Sequence, residues 1–348
     1  MGKRDAARGR ISPLAVIGWV GAGALLGGAL LAALGGLNQT VYGASNFVER
    51  YLSAIADDDL ATAATTPGVA LDAKALDALG LPTDVSTAML RSGIVDAGPA
   101  DVRIVQDVAH DDGTHSVTAS YRIDTAIAET TFEVKPIEPL YGVLNRWAFA
   151  ESPLAIIDVT AAHSPQFTVG DLTLDTRATK PEDELANFTQ TTPYLAIAPA
   201  AYEFEYDSQL LQAPHVLAVA QPGARGAVTV DAQPTQAFVD RVQAQLDLYL
   251  EGCTAQQVLN PTDCPFGIDI DDRLLSDPVW SMVASPTVTL TAGESAFEMP
   301  ATAGTAHISV EVQSLFDGDI STLEEDRGFT VALDARIKPD GSIAVQLK

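Results

Sequence analysis

Residues 11–37 read ISPLAVIGWVGAGALLGGALLAALGGL, 27 positions without a charged side chain. As a helix rising about 1.5 Å per residue, such a run reaches about 40 Å, enough to cross a hydrocarbon core of about 30 Å. Lys3, Arg4, Arg8 and Arg10 precede it, with Asp5 as the only nearby acid. Basic flanks stay on the cytoplasmic side, which predicts a cytoplasmic tail at 1–10, a transmembrane helix at 11–37 and all later residues outside. A cleavable signal peptide has an apolar region of about 7–15 residues ending in a small-x-small site. Ala33-Leu34-Gly35 and Val41-Tyr42-Gly43 are tolerable cleavage sequences, but the length of the run favours an uncleaved anchor. Gly23 and Gly27 form a GxxxG, with Gly28 beside them, and small residues recur every fourth position. That spacing suits close helix pairing and a homodimer in lipid. A generally Ala/Gly-rich composition gives the same pattern, and the two readings stand side by side.

Outward from the run, charge and cysteine content follow from this placement. The formal net charge is −26; the tail holds four bases and one acid, so the remainder carries −29. Such a field repels nucleic acid and excludes it as a partner class. Cys253 and Cys264 are the only cysteines. Outside the membrane a nearby pair reads as a disulfide, worth about 3 kcal/mol for a loop of this size. A metal reading needs further ligands at metal spacing, and no histidine lies close in sequence.

After a short linker at 38–45, apolar residues at Phe47, Val48, Tyr51, Leu52, Ile55 and Leu60 fall at helical spacing. Asn46 with Glu49 resembles a capping pair, and Asp57-Asp58-Asp59 reads as a solvated helix end. Alternation then predicts strands at 102–108, 116–123, 130–134 and 143–149, with a turn at Asp111-Asp112-Gly113. A helix on an antiparallel sheet over 46–152 is α+β. Ser152-Pro153 marks a boundary, and short apolar runs over 153–232 suggest a small all-β, sandwich-like module with a polar loop at 179–184. Pro234-Thr235 opens a second helix through Phe238, Val242, Leu246 and Leu250, with Gly252 in a stop position. Strands are expected at 279–284, 288–290, 306–312, 329–337 and 343–347, the last two joined by a Pro339-Asp340-Gly341 turn. Phe47-Val48-Glu49-Arg50 echoes Phe238-Val239-Asp240-Arg241. Each helix leads to strands and one tryptophan, Trp147 or Trp280, suggesting two related α+β domains, the second at 233–348.

The chemical motifs are few. The chain has no GxSxG, HExxH, Walker loop or GxGxxG. His110 and His115 flank a hairpin turn and are placed to face each other across it; exposed turn histidines explain the pair better than a metal. His163, His215 and His307 are isolated in sequence. Asp269, Asp271, Asp272 and Asp277 form one acidic cluster; Asp317, Asp319, Glu324, Glu325 and Asp326 form another, without the EF-hand pattern because Thr322 takes the glycine position. Both read as solvated acids rather than calcium loops. Tyr51, Tyr121, Asp124 and Asp158 are the only polar candidates for a cone-shaped pocket. No catalytic, cofactor-binding or metal-ligating residue is assigned.

Four stretches carry a resemblance: NFVERYLSAIADDD at 46–59, Trp147-Ala148-Phe149 before the Ser-Pro boundary, FTVGDLTL at 167–174, and the segment 253–266 ending Asn260-Pro261-Thr262-Asp263-Cys264-Pro265-Phe266. Together these features resemble single-pass envelope proteins of high-GC Gram-positive bacteria. The architecture also looks like the TcaA-type envelope proteins, whose outer parts end in domains of nuclear-transport-factor-2-like fold. That group often carries a cytoplasmic zinc ribbon, and the tail at 1–10 has no cysteine to build one. The resemblance implies a nuclear-transport-factor-2-like or cystatin-like first domain and no catalytic residues.

The expectation is a single-pass protein of the cytoplasmic membrane with α+β, β and α+β modules outside. It acts as a non-enzymatic binding, scaffolding or sensing protein toward an envelope protein or cell-wall partner, without a cofactor. The alternative from another class is an anchored enzyme or small-ligand carrier using a cone-shaped pocket.

Overall fold

The computed structural model describes residues 13–179, 188–338 and 340–348, with side chains in the first helix from Leu25 onward. The expected tail at 1–10, the surroundings of Gly23, Pro339 and most of the 179–184 loop lie outside the described residues. The protein is a mixed α+β chain, mostly sheet with few helices. Its helices are α1 (Pro13–Gln39), α2 (Ala44–Ala56), α3 (Leu60–Thr65), α4 (Ala73–Ala78) and, much later, α5 (Gln236–Thr254). The chain divides into two compact units: residues up to 157 with 194–202 and 219–226, and residues 158–193 with 203–218 and 227–348. Residues of the expected β module at 153–232 contribute to both.

In the first unit α1 leads directly into α2. Leu25, Leu26, Leu30 and Leu31 stand exposed along α1, Leu25 at 78 %. Among the described residues no single helix is long and apolar enough to cross a membrane; Leu25–Gln39 and Ala44–Ala56, bent by 44°, meet that test only as a pair. The second member of that pair is a core helix, since α2 buries Phe47, Val48, Tyr51, Leu52 and Ile55. Its start corrects the expected Asn46–Glu49 cap. The helix begins at Ala44, with Gly43 in the cap position and no side-chain cap bond, so Asn46 already lies in the first turn. The chain leaves α1 through backbone bonds from Thr40 to Gly36 and from Tyr42 to Leu37, which leaves no room for a later start. A Cβ on Gly43 would stand 2.6 Å from the Gln39 carbonyl oxygen, so only glycine fits that bend.

The Asp57-Asp58-Asp59 run ends α2 as expected, with Asp57 and Asp59 exposed, and it also forms the joint to α3. Asp57 closes α2, Asp58 takes a left-handed φ of 53°, and its Oδ2 accepts from the Gly93 N–H at 2.8 Å. Asp59 Oδ1 accepts from the Thr62 N–H at 3.1 Å and caps α3. Asp59 thus satisfies a backbone donor that the start of α3 leaves open, while Asp58 ties the joint to the distant Gly93 turn.

A four-stranded antiparallel meander follows, in the order β1 (Ala100–Ala109), β2 (His115–Ile123), β3 (Ala126–Leu140) and β4 (Leu144–Phe149). Alternate residues of β2, from Val117 to Ile123, are buried, which is the period of a half-covered strand. Between α2 and the sheet, Tyr51 lies 4.9 Å from Phe149 and 6.4 Å from Phe132, and Phe47 lies 5.0 Å from Phe149. Aromatic rings therefore fill the space where an open cone was the alternative.

The intermediate strands are β5 (Ala155–Ala162), β6 (Gln166–Val169), β7 (Leu172–Asp175), β8 (Thr189–Ala196), β9 (Ala200–Asp207), β10 (Leu211–Ala220), β11 (Arg225–Asp231) and β12 (Gln233–Pro234). They form sheets in the orders β12-β10-β9-β6-β7 and β11-β5-β8. A 3-10 turn, Thr176–Thr179, follows β7.

In the second unit α5 is capped by Thr235, whose Oγ1 accepts from the Phe238 N–H at 3.3 Å. It buries Phe238, Val242, Leu246, Leu250 and Cys253, one side of a 3.6-residue repeat. Gly252 lies inside the helix, which runs on to Thr254 and corrects the expected glycine stop. Burial of Cys253 holds that last turn down, and its disulfide to Cys264 is formed, with Cα atoms 5.7 Å apart. Within the closed loop Gln256 donates to Thr262 O at 3.1 Å and accepts from Thr262 N at 2.8 Å. Phe266 leaves the loop to pack 4.9 Å from Trp280 and 5.3 Å from Phe329.

The sheet of this unit comprises β13 (Arg273–Leu274), β14 (Val279–Ala284), β15 (Thr291–Ala292), β16 (Phe297–Gln313), β17 (Ile320–Ile337) and β18 (Ile343–Leu347). The long β16 pairs with β13, β14, β15 and β17, and β17 pairs with β18. Residues 288–290 are not the expected strand, because the Val288 N–H donates to Gln243 Oε1 on α5 at 2.8 Å instead of to a neighbour strand. Phe47 and Phe238 do share a role, Phe238 meeting Phe297 at 5.3 Å as Phe47 meets Phe149. The tryptophans do not: Trp147 sits on the last strand of its meander and Trp280 on β14, ahead of the long ribbon.

Candidate functional site

The strongest site geometry is a cleft of about 500 Å³ in the second unit. At one side His163 follows β5 with a left-handed φ of 64°. Its backbone N–H donates to Phe188 O at 2.8 Å, and its Nδ1 pairs with Asp231 Oδ1 at 2.7 Å. The imidazole lies 5.1 Å from the Phe188 ring and 6.2 Å from Phe297, and those two rings lie 5.1 Å apart. An aromatic wall results, backed by Phe238 of α5.

Cations gather on the other sides. Arg177, in the 3-10 turn after β7, grips Asp175 with Nε at 2.9 Å from Oδ1 and Nη2 at 2.5 Å from Oδ2. This bond holds the Asp175 carboxyl below, and the Arg177 guanidinium above, their ordinary ranges. Arg241 projects from the second turn of α5 and donates to Gln209 Oε1 at 2.7 Å. The Gln209 carbonyl in turn accepts from Thr235 Oγ1 at 2.8 Å, so the capping residue of α5 also fixes the Arg241 partner. Lys338 is exposed at the end of β17. Among the described residues the lining includes these three bases and no Asp or Glu, in a chain with 46 acids against 20 bases. The described lining is thus basic on an acidic chain, with Asp175 held behind Arg177 and Asp231 behind His163.

Guanidinium groups match carboxylate and phosphate oxygens in a fork geometry, and rings beside them accept an apolar body. The two serine hydroxyls of the lining are committed to backbone: Ser164 Oγ donates to Gln166 O at 3.2 Å and Ser208 Oγ to Leu211 O at 2.9 Å. His163 makes no hydrogen bond to a nucleophile among the described residues. The arrangement suits holding an anion rather than attacking one.

The residues singled out from sequence are dispersed. Tyr51 is buried and its OH donates to Ala198 O at 2.7 Å, while Tyr121 OH meets Thr130 Oγ1 at 2.6 Å. Asp124 sits in an exposed turn with φ 50°, and Asp158 belongs to the second unit. They form no common pocket. His110 and His115 do not face each other; His110 Nε2 meets Ser116 Oγ at 2.6 Å, and His115 Nδ1 pairs with Asp107 at 2.6 Å. His215 contacts both Glu203 and Glu205 at 3.0 Å, and His307 pairs with Asp326 at 2.7 Å. In the acidic clusters Asp272 accepts from the Leu315 N–H at 3.2 Å and Asp317 from the Asp319 N–H at 3.3 Å. Among the described residues no group of three or more His, Cys, Asp or Glu is arranged to hold a metal ion. A Cβ added to Gly27 or Gly28 would meet nothing within 4 Å, so that face of α1 is open.

The cleft residues themselves were not legible beforehand, because they come from segments more than 170 positions apart. The one usable signal was scarcity: after the tail only 16 Lys and Arg remain, and three of them line this cleft. In comparisons with known proteins the chain matches no family model, no curated protein and no solved structure.

Proposed function

We propose that this is a membrane-anchored protein of the cell envelope that binds an anionic ligand bearing an apolar or aromatic portion. The observation that carries the binding role is the cleft whose lining, among the described residues, holds Arg177, Arg241 and Lys338 but no acid, on a chain of net charge −26. A field of that sign expels anions everywhere except where cations are concentrated. The anchor is α1, drawn from the uncharged run at 11–37, with Leu25, Leu26, Leu30 and Leu31 free of protein cover. The disulfide is consistent with an oxidising compartment. The helix-on-sheet first unit fits a nuclear-transport-factor-2-like or cystatin-like domain, as in the TcaA-type group the sequence resembles. The open Gly27–Gly28 face leaves pairing of two copies through α1 as part of the reading.

The test uses full-length protein in nanodiscs and phenyl phosphate as probe, with phenol as the uncharged control. Calorimetry is expected to show salt-sensitive binding of phenyl phosphate that is lost in an Arg177→Ala/Arg241→Ala double variant. Equal binding of phenol, or binding unchanged in the double variant, removes the cleft from the reading. Loss of the chain from floating membranes after a carbonate wash removes the anchor.

A further inference from the structure

We propose that the β3–β4 hairpin tip is a second membrane contact, with Tyr141 seated in the lipid headgroup layer beside the foot of α1. This rests on the anchor reading of α1. The apolar run ends at Leu37, and the very next side chain, Asn38, binds the hairpin: its Nδ2 donates to Val143 O at 2.8 Å and its Oδ1 accepts from the Asn145 N–H at 2.9 Å. The hairpin tip is therefore fixed at the level where a membrane-crossing helix would leave the hydrocarbon. A third tie, from Trp147 Nε1 to Tyr42 O at 2.9 Å, holds the same strand to the linker.

The hairpin reaches past its own sheet. Strand β2 ends opposite Val134 at His115, whereas β3 and β4 go on pairing as far as Leu140 and Leu144. Six more residues of strand extend the tip by about 20 Å. What it carries there is apolar: Leu140, Tyr141 and Val143 are exposed, Tyr141 at 86 %, next to exposed Leu37 and Val41.

The backbone at the tip makes the same point independently. Tyr141 and Gly142 have φ of 54° and 74°, and the Val143 N–H donates to Leu140 O at 3.2 Å, the signature of a type I′ turn. Asn, Asp or Gly is favoured at the first central position, because left-handed backbone strains a bulky side chain. A tyrosine held there and packed on nothing is a strained feature that the fold does not use. Tyrosine is the residue enriched where one end of a ring meets acyl chain and the other meets water. Charge does not oppose the placement: Lys135, Glu138 and Arg146 give residues 135–146 a net +1 on a chain of −26.

The experiment uses the full chain, disulfide intact, with an environment-sensitive NBD fluorophore on a Tyr141→Cys variant, reconstituted into phosphatidylcholine–phosphatidylglycerol vesicles. The reference is Thr125→Cys, exposed in the β2–β3 turn at the far end of the 15-residue β3, about 50 Å away. Emission from position 141 is expected to shift to shorter wavelength and to be quenched by headgroup-level nitroxide lipid, while position 125 does neither. A Val143→Cys label gives the same readout if the Tyr141 variant folds poorly. Vesicles that float with the protein while positions 141 and 143 report water, as 125 does, overturn this proposal alone. A chain that does not float with vesicles overturns the anchor and this proposal together.

Discussion

Gly68 turns directly beneath Phe149: a Cβ on Gly68 would stand 2.4 Å from the Phe149 carbonyl oxygen and 2.6 Å from its nitrogen. The close approach is what lets the Phe149 N–H donate to Pro67 O at 3.0 Å, and Gly68 itself has a left-handed φ of 84°. Both obstacles to a side chain are backbone, so neither yields by a rotamer change. Gly68→Ala is expected to cost about 2–4 kcal/mol, combining left-handed strain with overpacking. Urea unfolding with an unchanged slope and a lower midpoint is the readout; an unaltered midpoint refutes the contact.

Tyr51 and Tyr202 are buried, their hydroxyls donating to Ala198 O at 2.7 Å and Ile197 O at 2.6 Å. Burial, above all, pushes both phenols well above their ordinary range. A raised folded pKa contributes stability below the unfolded phenol value of about 10 and loses it as pH rises toward the folded one. Stability is therefore expected to fall above about pH 10, with tyrosinate absorbance from these two rings appearing only as circular dichroism reports unfolding. Early, reversible ionisation of every tyrosine in folded protein contradicts their burial. Tyr51→Phe leaves the Ala198 carbonyl unpaired and is expected to cost about 1–2 kcal/mol.

Opening the Cys253–Cys264 bond with reductant, or replacing both residues by serine, is expected to cost about 3 kcal/mol on the chain-entropy account of a short closed loop. Scanning calorimetry checks it. The Gln256–Thr262 pair bonds and the seat of Phe266 against Trp280 remain, so the folded state survives at room temperature. Complete unfolding on reduction would show that these contacts carry less than assigned.

Arg241 is exposed and donates to Gln209, so Arg241→Ala is expected to leave the melting temperature within about 1 °C while weakening phenyl phosphate binding about tenfold. Arg177→Ala differs, because it also frees Asp175. A tenfold loss that persists in 1 M salt would mean that charge is not what the cleft reads.

Local patterns made part of this fold legible. The period of Phe47, Tyr51, Leu52 and Ile55 marked a core helix, alternation from 116 to 123 marked β2, and cysteine spacing marked the disulfide. What local pattern could not convey was competition from distant groups. Val288 alternates like a strand but gives its N–H to Gln243, and Gly252 looks like a stop while buried Cys253 draws the helix past it. The strand expected at 306–312 runs from Phe297 to Gln313 and so takes in Pro300 and Gly304. The strand tolerates both, with a bulge between Met299 and Thr302 and the Phe329 ring covering the glycine. The cleft was invisible for a related reason, since its basic lining exists only after folding gathers Arg177, Arg241 and Lys338.

Asn38 grips the β3–β4 hairpin through both atoms of one planar amide, and that has a mechanical consequence. A single bond would let the amide pivot on the hairpin; two bonds from a rigid plane fix its orientation there. With the Trp147–Tyr42 bond on the same strand, the foot of α1 and the linker after it are both moored to the meander.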